Sequence, residues 1–178
     1  DRSGEGFLMA GSITLSYGTP LTHTVTNLQS LASNSTFVQG WSSAWIDNTS
    51  VLALDYISTA NIAAGTTPTT PCSVRVYVYA QHSDGSTAPD LFSSGTEGTE
   101  GAVTVTDLEM LDSGFILLWS SDIDATTNDN YTMPPRSIAA AFGQVPRKWA
   151  FYITHNCTAA LRSSLNAVYS DPILNAYT

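Results

Sequence analysis

An all-β protein, built as an antiparallel β-sandwich, is the fold class this sequence predicts, and three observations predict it. Short runs alternate apolar and polar residues with a period of two, the signature of half-buried strands. The chain holds seven or eight such strand candidates against a single short helix candidate, and no strand–helix–strand alternation that would build a parallel sheet. Only 12% of the 178 residues are charged. Ser, Thr, Asn and Gly separate runs rich in Val, Ile, Tyr and Trp, the residues that suit a pleated surface.

Taken in order, Leu8–Tyr17 (LMAGSITLSY) sets Ile13, Leu15 and Tyr17 against Ser12, Thr14 and Ser16, a period-two pattern that Gly18-Thr19-Pro20 ends. Within Thr22–Ala32, Val25, Leu28, Leu31 and Ala32 fall at helical spacing, and Thr22 or Thr24 offers a cap, so a short helix is expected there. Trp41–Trp45 and Val51–Leu54 follow as strand signals. Ser58–Pro71 is rich in Thr, Ala and Pro and reads as a loop.

Ser73–Ala80 (SVRVYVYA) is the clearest strand, with Val74, Val76 and Val78 on one face and Arg75, Tyr77 and Tyr79 on the other. His82–Gly85 (HSDG) carries turn chemistry. Ala102–Thr106 alternates again, and Phe115–Trp119 (FILLW) is a continuous apolar run. Asp122–Asn130 is acidic and turn-prone, and Met133–Pro135 holds a double proline before a small apolar patch at Ser137–Phe142. Trp149–Ile153 and Ala167–Tyr169 are the last two strand candidates.

The most linker-like stretch is residues 93–101, SSGTEGTEG. It divides the chain into a β region at 1–92 and a segment at 102–178. That segment is either a second, small protruding lobe or the remaining strands of the same sandwich. No repeat of fixed period occurs, which excludes solenoids and propellers.

Charge narrows the function classes. The formal net charge is −9, with 6 basic residues against 15 acidic ones, so the chain repels phosphate and is poorly suited to contact nucleic acid directly. No run approaches the ~18 apolar residues of a membrane-spanning helix. Cys72 and Cys157 belong to no Cys-x-x-Cys pair, which removes zinc and thioredoxin-type readings. Two buried free thiols are expected, a disulfide being the other option. The chain begins at Asp1 rather than Met, which reads as a processed chain or a segment of a longer one. Asn34, Asn48, Asn130 and Asn156 stand in Asn-x-Ser/Thr sequons.

No catalytic constellation emerges. A Gly-x-Ser-x-Gly elbow is absent, and His23, His82 and His155 are the only histidines, none near a nucleophile in sequence. No catalytic residue and no enzyme activity are therefore expected. Metal binding has one candidate: Asp122, Asp124 and Asp129 crowd a segment with Asn128 and Asn130, and such oxygen ligands suit calcium. The spacing lacks the Gly and terminal Glu of an EF-hand, and a solvated turn is the simpler reading. Tyr77 and Tyr79, two residues apart on one face, suit either a sugar platform or a buried interface, the latter being favoured.

The stretch GSITLSYGTP, followed by the helix candidate with Leu28 and Leu31 and then Trp41–Trp45, resembles the coat-protein shell domain of small icosahedral positive-strand RNA viruses. SVRVYVYAQHSDGSTAPD resembles a closing strand of that jelly roll, and VLALDYIS is similar to strands of picornavirus-like capsids. The resemblance spans roughly residues 8–90 and rests on pattern. It implies a jelly-roll sandwich that acts as a structural capsid subunit in the virion, with copies of itself and related subunits as partners and a host receptor or glycan beyond them. The family's basic RNA-binding arm would precede Asp1. The family's calcium-ligand pattern maps onto no position of this sequence, so the resemblance adds no metal residue; no cofactor is expected, and calcium at subunit contacts is the one ion the residues leave to consider. A secreted or particle-surface carbohydrate-binding β-sandwich is the alternative.

Overall fold

The computed structural model describes residues 13–177, so the part of the first expected strand before Ile13 lies outside the described residues. Among them are twelve strands and two short helices: β1 (Ile13–Tyr17), β2 (Leu21–Thr22), β3 (Gln39–Ser42), β4 (Ile46–Asp47), β5 (Asp55–Ala63), β6 (Cys72–Ala80), β7 (Phe92–Ser94), β8 (Gly101–Val105), α1 (Leu108–Gly114), β9 (Ile116–Ile123), β10 (Asn130–Ser137), α2 (Ile138–Phe142), β11 (Lys148–His155) and β12 (Ala167–Tyr177). The strands form two antiparallel sheets. The smaller runs β1-β12-β5-β10 with β2 also on β12; the larger runs β7-β8-β3-β11-β6-β9 with β4 on β11. From β9 onward the chain alternates sheets at every step, and β3, β11, β6 and β9 lie side by side in the larger one. The sandwich is all-β and jelly-roll-like.

Period-two alternation explains what lies between the sheets. Val74, Val76 and Val78 of β6 meet Trp149, Phe151 and Ile153 of β11 on one side, and Tyr56, Ala60 and Ile62 of β5 with Val168 of β12 on the other. All are buried, each large aliphatic side chain contributing roughly 1.5–3 kcal/mol. The larger sheet has a second buried face. Tyr77, Tyr79, Ala150 and Tyr152 point outward from the first core into a cluster with Phe37, Leu91, Phe92, Val103, Val105, Leu111 of α1 and Phe115. That is why every residue of β11 after Lys148 is buried.

Strands on either side of residues 93–101 share both sheets: β11 pairs with β3 and β6, while β10 and β12 pair with β5. Strands β9, β10, β11 and β12 thus lie in the same two sheets as the strands before residue 93. The 93–101 stretch is the β7-β8 hairpin connection, and its acidic residues tie it down. Glu97 Oε1 accepts the N–H groups of Leu91 (2.9 Å) and Phe92 (3.1 Å). Glu100 accepts from Trp41 Nε1 (2.8 Å), Asn27 N (2.8 Å) and Asn27 Nδ2 (2.9 Å). Gly98 has φ +65° and its backbone meets Trp45 so closely that a Cβ would overlap the indole.

Four local readings change. Past Thr22, which closes β2, the stretch to Ala32 forms turns rather than a helix: Leu28 and Leu31 are buried as their spacing implies, but Ser30 takes φ +61° and Glu100 holds Asn27 from outside. Val51–Leu54 is a loop, and the strand begins at Asp55 and runs through to Ala63, into the stretch expected as loop. Small inward residues, Ser58 and Ala60, hid its period. β10 continues through Pro134-Pro135 because the register shifts between Met133 and Arg136 and β10 is an edge strand, where missing N–H donors cost little. β12 is an 11-residue strand where only three residues were expected.

Candidate interaction surface

The longest strand and the first one together make an unusual end to the smaller sheet. β12 pairs with β5 from Ala167 to Ile173, and from Ile173 to Tyr177 it pairs with β1. Beyond Leu54, whose N–H reaches Ile173 O at 2.8 Å, β5 no longer follows it. The outer half of β12 therefore has β1 as its strand partner, forming a two-stranded ribbon. Two-stranded ribbons are marginal in water unless something packs on them.

The sequence of β1 sets what that ribbon shows. Ser16 pairs with Leu174 and Thr14 with Ala176; Leu174 packs on the core between the sheets, Ser16 is half-buried and Thr14 is exposed. Ile13, Leu15 and Tyr17 take the opposite face and are exposed to 70%, 70% and 74%. The strand expected here as half-buried is exposed at every residue but half-buried Ser16, and its apolar residues stand in solvent. Ile173, opposite Tyr17, and exposed Tyr169 extend the same face along β12.

The backbone agrees with the side chains. Gly18 N donates to Pro172 O at 2.8 Å, and hydrogen-bonded pairs alternate along an antiparallel ladder. Leu15 and Tyr17 thus turn their own N–H and C=O groups to the edge that carries no strand among the described residues. Native edges are usually blunted by charge, proline or a bulge. No Asp, Glu, Lys or Arg occurs from Ile13 to Thr22, nor in β12 after Asp171. In a chain of net charge −9 this is a neutral, apolar edge, left unpaired among the described residues.

The residues singled out in the sequence fall elsewhere. Asp122 lies in β9 opposite Ser73, exposed. Asp124 closes a turn, accepting Thr126 N at 2.7 Å and the Tyr131 hydroxyl at 3.0 Å, and these bonds hold its carboxyl below the usual range. Asp129 Oδ1 accepts Asn130 N at 2.8 Å. Among the described residues no three of His, Cys, Asp or Glu group as metal ligands. Tyr77 and Tyr79 are buried in the outer cluster, where Tyr79 stacks edge-on against Phe115 at 5.3 Å, so they form no exposed sugar platform. Burial pushes the Tyr79 hydroxyl up to about 12.

Two histidines are internal. His155 Nε2 lies 3.0 Å from Leu31 O. His23 Nε2 lies 2.9 Å from Ser170 Oγ, which in turn lies 2.9 Å from Ser58 Oγ. Both serines have no exposed surface, so this His–Ser contact is closed to a substrate. Burial pushes His23 down to about 4. His82 lies in the expected turn, beside Asp84, whose bonds from Thr87 and Ser86 bring it to about 2. Three of the sequon asparagines spend their side chains on the fold: Asn34 on Val38 N, Asn48 on Ala53, and Asn156 on Ser73 N.

A cleft of about 310 Å³ is lined by Gln81, His82, Phe142, Gln144, Pro146 and Arg147 among others. Gln81 Oε1 is buried there without a hydrogen-bond partner among the described residues.

No protein-family model matches the chain. No curated protein matches it either. Among solved structures it is similar to the infectious bursal disease virus VP2 subviral particle, at 12% identity and a TM-score of 0.21. That alignment covers 94% of this chain and 42% of the other, so the chain spans less than half of that neighbour. A likeness at this score carries no argument below.

Proposed function

We propose that this chain is a structural subunit that assembles with copies of itself into an icosahedral virus particle, without catalysis. The observation that carries the reading is the β1 ribbon: an uncharged strand with three exposed apolar side chains and open backbone groups on the same residues. A strand added to that edge would satisfy the backbone while covering Ile13, Leu15 and Tyr17. Copies of this chain suit it because the ribbon is neutral, so two subunits of net charge −9 can meet there without bringing carboxylates together. The low-charge, hydroxyl-rich exterior supports extended lateral contacts at small desolvation cost. Contact with a genome falls to residues other than these, and calcium shared between copies at Asp122, Asp124 and Asp129 belongs to the same reading.

Electron microscopy with analytical ultracentrifugation of the purified protein tests it. Closed particles of uniform diameter are expected. A protein that stays monomeric at high micromolar concentration would overturn the reading.

The cleft at Gln81 favours a second one, a carbohydrate-binding module. Its unpartnered Oε1 needs a donor such as a sugar hydroxyl, Phe142 offers a ring, and Arg147 a charge. A stable monomer that binds a glycan array, and loses that binding in Gln81→Ala, would favour it.

A further inference from the structure

The two cysteines, far apart in sequence, come together at the end of the β6-β11 ladder. Val74 pairs with His155, and one step on Asn156 N donates to Ser73 O at 3.2 Å while Ser73 N donates to Asn156 Oδ1 at 2.7 Å. The next pair in that register is Cys72 and Cys157. Ser73 and Asn156 exchange the ladder bond, so Cys72 and Cys157 occupy the non-hydrogen-bonded type of site, where cross-strand Cα atoms lie closest, about 4.5 Å apart. That spacing falls at the short end of the range a disulfide spans.

Side-chain direction agrees. Cys72 and Cys157 both lie in the core between the sheets with Val74 and Val76, so their Sγ atoms share one face. Both are free thiols and both are buried. Cys72 Sγ reaches Ile123 O at 3.5 Å, and Cys157 Sγ reaches Ser73 O at 3.9 Å, contacts too weak to hold either in place. Burial and the neighbouring Cys72 thiol push the Cys157 thiol well above its ordinary range. Cys72 lines a surface cleft with Thr70, Pro71 and Asp124, and Cys157 is covered by the Thr69 segment, held by a Thr69–Thr158 hydroxyl contact of 2.7 Å.

We propose that Cys72 and Cys157 are a modification site: a cross-strand disulfide forms between them by exchange with a small-molecule disulfide. In the first step the Cys72 thiolate attacks the reagent, giving a mixed disulfide and releasing one thiol. The Cys157 thiolate then attacks the Cys72 sulfur and releases the second. Two electrons pass from the cysteines to the reagent, and their two protons end on the released thiols or in solvent. The bond clasps the start of β6 to the segment after β11 and closes a long loop of the unfolded chain, which raises the melting temperature. The second step is slow, because burial keeps the Cys157 thiol protonated and a protonated thiol attacks poorly until the covering segment opens.

Incubating the folded protein with oxidised glutathione over days tests this, read by thiol titration in denaturant, intact mass and peptide mapping. Expected are the loss of both thiols, a mass lower by two hydrogens, a peptide linking Cys72 to Cys157, and a melting temperature higher by several degrees that dithiothreitol reverses. Cys72→Ser and Cys157→Ser, each assayed alone, should show no such rise. Two thiols still free, glutathione adducts without the link, or links only between separate chains would overturn the proposal. None of these outcomes bears on particle assembly.

Discussion

Both sheets of this sandwich have an outward face, and the chain treats the two differently. The larger sheet covers its own: Phe92, Leu111, Phe115 and Phe37 close over Tyr77, Tyr79 and Tyr152, and the hydroxyls are satisfied inside, Tyr152 on Phe37 O at 2.7 Å and Tyr79 with Ser42 Oγ at 2.7 Å. The smaller sheet leaves Ile13, Leu15 and Tyr17 in water beside an open edge. The composition of the two faces is alike, aromatic and aliphatic. What differs is whether the same chain supplies the cover. A face completed within the chain contributes to folding; a face left open contributes to association.

That contrast is breakable, and the effect on subunit stability ranks the ways. Phe115→Ala opens the centre of the covered face, where Phe115 contacts Tyr79 at 5.3 Å and Tyr152 at 5.2 Å. It should cost about 3–5 kcal/mol in denaturant unfolding. A loss below about 1 kcal/mol would mean that the outer cluster is not a core at all.

The next largest effect lies between the sheets, at His23. Its ring stacks edge-on against Phe151 of the larger sheet at 5.4 Å and bonds Ser170 of the smaller. The folded value is about 4, below the usual 6.5, so the unfolded chain binds the proton more readily. Stability is full above about pH 6.5 and is lost as the pH falls toward 4, by up to about 3 kcal/mol. Urea unfolding across that window should show the slope in the native chain and a flatter one in His23→Gln.

Smaller again is the hairpin that carries the cover. Glu100→Ala strips the partner from Trp41 Nε1 and releases Asn27, at a cost of about 1–3 kcal/mol. Burial raises the Glu100 carboxyl, but the bonds from Trp41 and Asn27 outweigh it and leave the group below its ordinary range. Its contribution is therefore present above pH 4.5 and is lost as the pH falls through the lowered folded value. In Glu100→Ala that acid-limb loss should disappear.

How much of this was legible beforehand follows the same division. Strands with large alternating residues were readable: Val74, Val76 and Val78 against Tyr77 and Tyr79 gave both faces of β6. β5 was not, because Ser58 and Ala60 occupy inward positions and weaken the hydrophobic period. Residues 93–101 looked like a linker by composition, and only the carboxylates of Glu97 and Glu100 reveal a fastened hairpin. Most instructive is β1. Its alternation was plain, but alternation states that two faces differ and not which one meets the core. The missing charge between Ile13 and Thr22 was the available signal, and it concerns the edge rather than the period. The cysteine pairing was out of reach as well, since it depends on the register of β6 against β11.

If the apolar face of β1 exists for other copies of the chain, removing it should abolish assembly and spare the fold. The decisive variant replaces Ile13, Leu15 and Tyr17 together by Ser, with sedimentation and thermal unfolding compared with the native chain. Particles are expected from the native chain and a subunit-sized species from the variant, with unfolding free energy within about 0.5 kcal/mol of the native value, as for other exposed positions. A variant that assembles as well as the native chain, or one that loses its fold instead of its contacts, would contradict it.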